Sequence, residues 1–410
     1  MDPGTLVTFG AAGIASLFMA WAIGAGSSGS TPFAPAVGAN AISVMRAGFF
    51  VGILGLLGAT LQGANVTEAV GRDLVVGTTL SPVAAIVALS IAAALVALGV
   101  FAGYPIATAF TVTGAVVGAG LAMGGEPAVA KYYEILSVWT LTPFVGGGVA
   151  FGTAKFLRHE AVPERFATPA LAGSVGAILA NVEFVLLGPS GVAQSIAGTI
   201  APDMTARIAV TLLFALLVAI ALGMDMRSDR ARGQRHFLLA LGGLVAFSAG
   251  GSQVGLALGP LLPLFDTTDV AVPLVALLFG GGIGLLLGSW TAAPRMIKAI
   301  SQDYSSLGPR RSIAALIPSF MIAQVAILLG VPISFNEIIV SAVIGAGAAA
   351  GTGGVSGSKM GYTVLACSAS GCIHCSRSSC KLSLVVRSPR LRPPPDAAGR
   401  TPRFGRSVLS

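Results

Sequence analysis

"AWAIGAGSSGSTPFAPAVGANA", residues 20–41, begins as a membrane helix and breaks into glycine, serine and proline. In hydrocarbon no water is present to satisfy an open N–H or C=O. A break at that depth is therefore tolerated only where the segment is buried in protein or lines a polar cavity. The reading of this stretch decides whether the chain is a plain helical bundle or one built around an internal site.

The surrounding composition sets the solvent. Of 410 residues, 54% are hydrophobic and 10% charged, against roughly a quarter charged in an ordinary soluble domain. The chain is expected to be an all-α integral membrane protein. Apolar runs of spanning length fall near 5–23, 47–64, 82–101, 111–123, 137–154, 170–187, 207–224, 237–249, 273–291, 312–329 and 338–350. Some are short or interrupted by glycine, which predicts nine to eleven spans plus re-entrant segments. No cleavable leader is expected, because "MDPGT" supplies no basic region before the first run.

The formal charge of +8 is concentrated in the last residues: 377–410 hold eight of the 24 Lys and Arg and one acid, Asp396. The balance therefore gives no reason to expect nucleic acid, and lipid is the expected surrounding partner. Loops after odd-numbered runs carry twelve cations (Arg46; Lys155, Arg158, Arg165; Arg227, Arg230, Arg232, Arg235; Arg295, Lys298, Arg310, Arg311). Those after even-numbered runs carry three, Arg72, Lys131 and Arg207. The positive-inside rule then places the odd loops in the cytoplasm of a multi-pass cytoplasmic-membrane protein and the N-terminus outside.

The break recurs. "ALSIAAALVALGVFAGYPIATAFTVTGAVVGAGLAMGG" (88–125) parallels "ALIPSFMIAQVAILLGVPISFNEIIVSAVIGAGAAAGTGG" (315–354), and residues 22–38 parallel "FSAGGSQVGLALGPLL" (247–262). Gly24 to Pro105 spans 81 positions and Gly250 to Pro332 spans 82. Seven runs separate the starts of the copies, and an odd number inverts the second. Inverted repeats broken at matched positions point to a secondary transporter with its site near mid-membrane. The organisation is then a first repeat (1–154), connecting spans with a basic cytoplasmic loop (155–236), a second repeat (237–366) and an atypical tail (367–410).

These landmarks resemble the inorganic phosphate transporter (PiT, Pho4) family, from about residue 10 to 366. Its two GANDVAN-type signatures align with "GAGSSGS" (24–30) and "GGSQVGLALGP" (250–260). Its VTE segment aligns with "QGANVTEAV" (62–70), and its two P-[VI]-S-T-T-H re-entrant motifs with "YPIATAF" (104–110) and "VPISFNE" (331–337). The family's Asn-Asp falls on Gly26 and Ser27 in one half and on Ser252 and Gln253 in the other, so both carboxylates are absent. The resemblance implies a symporter of inorganic phosphate driven by sodium or protons, by alternating access and without a further cofactor. Sulfate or another small anion, and a non-transporting membrane sensor of the same fold, are the alternatives. No nucleophile beside a base and no intramembrane metal cluster is visible, so an enzyme is not expected.

Apart from Arg207 at the edge of one run, no Arg, Lys or His lies inside any of them. An oxyanion would therefore rely on hydroxyls, amides and the N–H groups opening broken helices. The candidates are Ser27, Ser28, Ser30, Thr31 and Thr108 in the first half and Ser252, Gln253, Ser334 and Asn336 in the second. For Ser28 and Ser30, capping and small-residue packing are the stronger reading. Candidate coupling acids are Glu337, at the end of the second re-entrant motif, Glu183, inside the run 170–187, and Glu68, at the outer mouth. A buried hydrogen-bonded acid (Glu183) and helix-end caps (Glu68, Glu337) are the competing readings. The three histidines lie in loops or the tail, "GGGIG" and "GGGVAFG" read as packing glycines, and association into a homo-oligomer is left open.

The tail breaks the composition. After 366 residues without cysteine, Cys367, Cys372, Cys375 and Cys380 surround His374, and an Arg/Pro-rich run follows. The spacing superficially resembles a metal or iron–sulfur loop, but "KMGYTVLA" opens a span that does not continue, which favours out-of-frame translation. Sequencing the gene's 3′ end tests this: another frame should encode a hydrophobic C-terminus, and its absence overturns the frameshift.

Overall fold

The computed structural model describes residues 3–185, 187–188, 193–201, 203–266, 272–303 and 307–349. The tail and its cysteines lie outside them. Helices come first as α1 (Pro3–Gly26), the short α2 (Ala34–Gly38), α3 (Val44–Gln62), α4 (Ala64–Arg72), α5 (Pro82–Ala102), α6 (Thr108–Ala122), α7 (Val129–Phe156) and α8 (Glu164–Ala180). They continue as α9 (Ile196–Ile200), α10 (Met204–Ser228), α11 (Arg230–Leu258), α12 (Leu262–Asp266), α13 (Leu274–Thr291), α14 (Ala293–Asp303), α15 (Pro309–Leu328) and α16 (Phe335–Ala348). Two antiparallel clips accompany them. In one, β1 (Val75–Val76) pairs with β2 (Glu126–Pro127); in the other, β3 (Glu183–Phe184) pairs with β4 (Gln194–Ser195).

Among the described residues eight helices are long and apolar enough to cross a membrane: α1, α3, α5, α7, α10, α11, α13 and α15. The apolar α6 and α16 are shorter, and both follow a Gly-x-Pro break. Burial orders the bundle. In α11 and α15, 72% of the spanning window is buried, against 6% in α10, whose Leu212, Leu213, Leu216 and Leu217 are exposed. The polar-bearing helices are thus central and the leucine-rich α10 is peripheral, as expected where lipid solvates hydrocarbon as well as protein does.

Two expectations are corrected. The second signature breaks its helix later than the first: α11 runs through Gly250, Gly251, Ser252 and Gln253 and ends at Leu258, where a 3-10 turn, Gly259–Leu261, takes over. The glycines serve contact with α3, since a methyl on Gly250 would overlap the Gly55 carbonyl and one on Gly58 the Phe247 carbonyl. Small residues let backbones approach in this way inside a bilayer. Glu183, expected within a span, lies beyond the end of α8 on β3. There Asn181 Nδ2 donates to the Ala177 carbonyl at 2.9 Å and occupies an acceptor freed at the helix end.

One end of the bundle is tied by polar contacts. Arg310 grips Glu164 with two bonds, Nε to Oε1 at 2.8 Å and Nη2 to Oε2 at 2.7 Å, and Gln234 Nε2 also donates to Glu164 Oε1. Nearby, Arg235 Nε donates to the Ala41 carbonyl at 2.8 Å and Ser312 Oγ to the Pro35 carbonyl at 2.6 Å. The buried α2 segment is thereby fastened to both central helices.

Glu164 precedes the apolar run that starts at residue 170, and Arg310 holds its carboxyl below the usual carboxylate range. A depressed folded-state value means stability that is complete above the ordinary carboxylate pKa and lost as pH falls through the folded one. Glu164→Gln should therefore lower the melting temperature at pH 7 by the equivalent of about 1 kcal/mol, given a half-exposed Arg310. The gap should close in thermal denaturation scans as pH drops from 5 to 3.

Candidate functional site

Three chain interruptions meet in the core. After α1 stops at Gly26, the Ser27 carbonyl accepts the N–H groups of Ser30 and Thr31, both at 3.1 Å, and their hydroxyls at 3.3 and 3.0 Å. The Ser28 hydroxyl turns back on the Ile23 carbonyl at 3.5 Å. These bonds satisfy the opened backbone internally. They also absorb the hydroxyls of Ser28, Ser30 and Thr31, whereas that of Ser27 faces the second half of the chain.

The other two interruptions are alike. α5 ends with Gly103 at φ +77° and a bond from Tyr104 N–H to the Gly99 carbonyl at 2.9 Å. α15 ends with Gly330 at φ +61° and a bond from Val331 N–H to the Ala326 carbonyl at 2.9 Å. Both are Schellman-type stops, for which glycine supplies the left-handed residue. A proline follows each, then a new helix: α6 from Thr108 and α16 from Phe335. No side chain caps either start, and the first turn of α16 carries one acid, Glu337, so first-turn N–H groups are left without a capping side chain at both.

Gln253 joins the three. Its Nε2 lies 2.9 Å from Ser27 Oγ, 3.2 Å from Thr108 Oγ1 and 3.3 Å from the Ile333 carbonyl. Asn336 adds a second tie, its Nδ2 donating to the carbonyls of Gly26 at 3.0 Å and Ile106 at 2.6 Å. Carbonyl oxygens only accept, so both amides are fixed with their nitrogens on these partners.

The consequence is a set of stranded atoms. Gln253 Oε1, Asn336 Oδ1, Ser252 Oγ and Ser334 Oγ are buried with no hydrogen-bond partner. Each belongs to a residue of this junction or one beside it in sequence. Buried polar atoms are almost always paired; Thr113 Oγ1, Tyr132 Oη and Thr168 Oγ1 are also without a partner among the described residues, and what distinguishes these four is that they belong to the junction residues and their chain neighbours.

The acids are distributed differently. Glu337 sits half-buried in the first turn of α16, next to Asn336. Glu68 is exposed on α4, and Glu183 lies on β3 with its backbone carbonyl accepting from Gln62 Nε2 at 3.0 Å. Phe110 packs against Trp139 with ring centroids 4.0 Å apart, and Trp139 Nε1 donates to the Pro332 carbonyl at 2.7 Å. That pair braces both re-entrant segments. Sequence reading missed a second polar chain, Gln62 to Gln324 at 3.2 Å and Gln324 to Ser248 at 2.6 Å. Its signal was amides inside apolar runs.

A family model described as "Phosphate transporter family" matches residues 23–370. The chain belongs to the phosphate transporter family. Relatives of this transporter include proteins named phosphate permease. That of Thermococcus kodakarensis is 26% identical over 86% of this chain and 90% of its own, and that of Pyrococcus abyssi is 27% identical over the same shares. Inorganic phosphate transporter 2-1, chloroplastic, of Arabidopsis thaliana is 25% identical over 82% of this chain and 65% of its own. A solved structure titled "The sodium-dependent phosphate transporter" shares the fold, with a TM-score of 0.73, 24% identity, 88% of this chain and 95% of that one covered. This is a multi-pass membrane protein of a transporter family, not an enzyme family.

Removing the junction's connector should be felt at once. Gln253→Leu strands three groups and should destabilise the transporter by about 2 kcal/mol or more. Ser28→Ala, which loses one long local bond, should cost less than about 1 kcal/mol. Melting temperatures in detergent, read side by side, check the ranking.

Proposed function

We propose that this transporter carries inorganic phosphate by alternating access, coupled to a sodium ion or proton, with the Gln253 junction as its binding site. The observation that supports the reading is that four unpartnered buried polar atoms belong to the junction residues and their chain neighbours, beside the uncapped starts of α6 and α16. Helix starts attract an anion without a fixed side-chain charge, and a carrier must release what it binds.

The stranded carbonyls bear on the choice of anion. Gln253 Oε1 and Asn336 Oδ1 can only accept, so they suit a guest that brings its own donors or a cation bound beside it. Hydrogen phosphate carries O–H groups at neutral pH and sulfate carries none, which favours phosphate. Ser252 and Ser334, which can donate or accept, serve either face of the ion. In this reading Ser27, Thr108, Ser252, Gln253, Ser334 and Asn336 form the site, while Ser28, Ser30 and Thr31 hold the turn that presents it.

Glu337 is proposed as the coupling acid, because it adjoins Asn336 at the opening of α16 and no basic residue lies within α16. The matched breaks at Gly103–Pro105 and Gly330–Pro332 support the duplicated, inverted organisation that alternating access would use. With the odd loops cytoplasmic, the Glu164–Arg310 end faces the cytoplasm and the N-terminus lies outside.

Proteoliposomes test this. Labelled phosphate should accumulate under a sodium or proton gradient, and sulfate flux should be lower by about tenfold or more, the difference expected when buried acceptors lose their donors. Ser334→Ala should weaken phosphate uptake about tenfold. Glu337→Gln should leave folded protein whose uptake no longer follows the ion gradient. Flux of neither anion would sink the transport reading and leave a sensor in its place.

A further inference from the structure

The helix that joins α13 to α15 has two unlike sides. On α14, Met296, Ile297 and Ile300 are fully buried, whereas Arg295, Lys298 and Gln302, three and then four residues apart, are exposed. Residues so spaced share one side of a helix. The apolar side is spent on the protein: Met296 clusters with Ala25 and Val100, next to the break at Gly26, and the Ser301 carbonyl lies against Gly38 of α2. An interfacial helix is ordinarily held by sinking its apolar face into lipid. Here that face is already used, and the cationic side is left outward.

A third cation joins the first two. Gly48 of α3 lies against Pro294 and Ile297, which brings the first turn of α3, with the exposed Arg46, beside α14. Among the described residues the side chains of Arg46, Arg295 and Lys298 form no hydrogen bond or ion pair. Other cations are engaged: Arg235 and Arg310 by oxygens, Lys155 and Arg165 by phenylalanine rings. No acid offsets the three nearby in sequence, since α3 and α13 contain none and α14 has one, Asp303, as its last residue.

An exposed aromatic wall adjoins these cations. Trp290, in the last turn of α13, stacks on Phe49 with centroids 5.4 Å apart and donates Nε1 to the Phe49 carbonyl at 3.2 Å. Both rings are close to half exposed, and Phe49 lies three residues after Arg46 on α3. Tryptophan gathers where hydrocarbon meets water, and clustered Lys and Arg at that depth attract anionic headgroups.

We infer that Arg46, Arg295 and Lys298 bind the headgroup of an anionic phospholipid whose acyl chains lie along Phe49 and Trp290. A free anion would make no use of the aromatic wall; a lipid engages both parts. Because α14 also packs on Ala25 and Gly38, on either side of the Ser27 turn, a headgroup that holds α14 steadies that turn. The lipid site stands on this surface alone. Its effect on transport rests on the reading of the junction as the phosphate site.

The test uses purified full-length protein in phosphatidylcholine vesicles with a rising fraction of dibrominated phosphatidylglycerol, whose bromines quench nearby tryptophan. Wild type should show a saturable quenching step that dibrominated phosphatidylcholine does not give, and Trp290→Phe should remove most of it. Arg295→Gln with Lys298→Gln should weaken the step about 25-fold and Arg46→Gln alone about fivefold, the factor expected for each cation at an anionic surface. Arg46→Gln, on another helix, keeps the test open should the α14 variant not fold. Arg227→Gln with Arg232→Gln removes the same charge elsewhere and should leave the step in place. Equal quenching by both lipids, a step that survives Trp290→Phe, equal weakening in the Arg227/Arg232 variant, or displacement by inorganic phosphate at constant ionic strength overturns the site. Phosphate uptake should depend on the phosphatidylglycerol fraction in wild type and lose that dependence in the α14 variant; an unchanged dependence overturns the link to the turn. A lipid step without any phosphate flux would refute the transport reading and leave the lipid site standing.

Discussion

Everything in the core is arranged around the side-chain amide of Gln253, which satisfies hydroxyls and a carbonyl from three separate interruptions of the chain. Inside a bilayer an irregular segment persists only if its polar groups find partners in the protein. One amide on a helix continuous through that point supplies them for the turn after α1, the start of α6 and the approach to α16. The continuity of α11 at Gln253 follows: the connector must be rigid because the segments it joins are not.

Asn336 reinforces the arrangement. Its amide holds the last carbonyl of α1 and the Ile106 carbonyl ahead of α6, so the second half of the chain anchors the irregular backbone of the first at two further points. The Phe110–Trp139 contact and the Trp139–Pro332 bond brace the same elements from outside the junction. The junction is thus held by amides and aromatics, through shape and hydrogen bonding and without a charged side chain among its ties.

Much of this was legible in the sequence. Apolar runs gave the spanning helices, and the Gly-x-Pro pairs located both Schellman stops, because glycine and proline act through local backbone geometry that needs no knowledge of neighbours. The place of the break in the second signature was misread for the opposite reason. Glycine weakens a helix intrinsically yet permits close helix contact, and only the presence of α3 against Gly250 decides between the two. The Gln62–Gln324 pair, 262 residues apart, was invisible to any local pattern. Glu183 was misplaced because hydropathy does not register that Asn181 ends the helix by capping it.

The neutrality of the junction bears on energetics across the bilayer. A unit charge moved through the full membrane potential gains or loses about 2.3 kcal/mol per 100 mV. None of Ser27, Thr108, Ser252, Gln253, Ser334 or Asn336 carries a formal charge, so these residues add nothing to the voltage dependence of an empty carrier's return step. In the proposed cycle the electrical work then falls on the loaded step and on the protonation state of Glu337, and the cargo rather than the machinery sets how membrane voltage biases the direction of net movement.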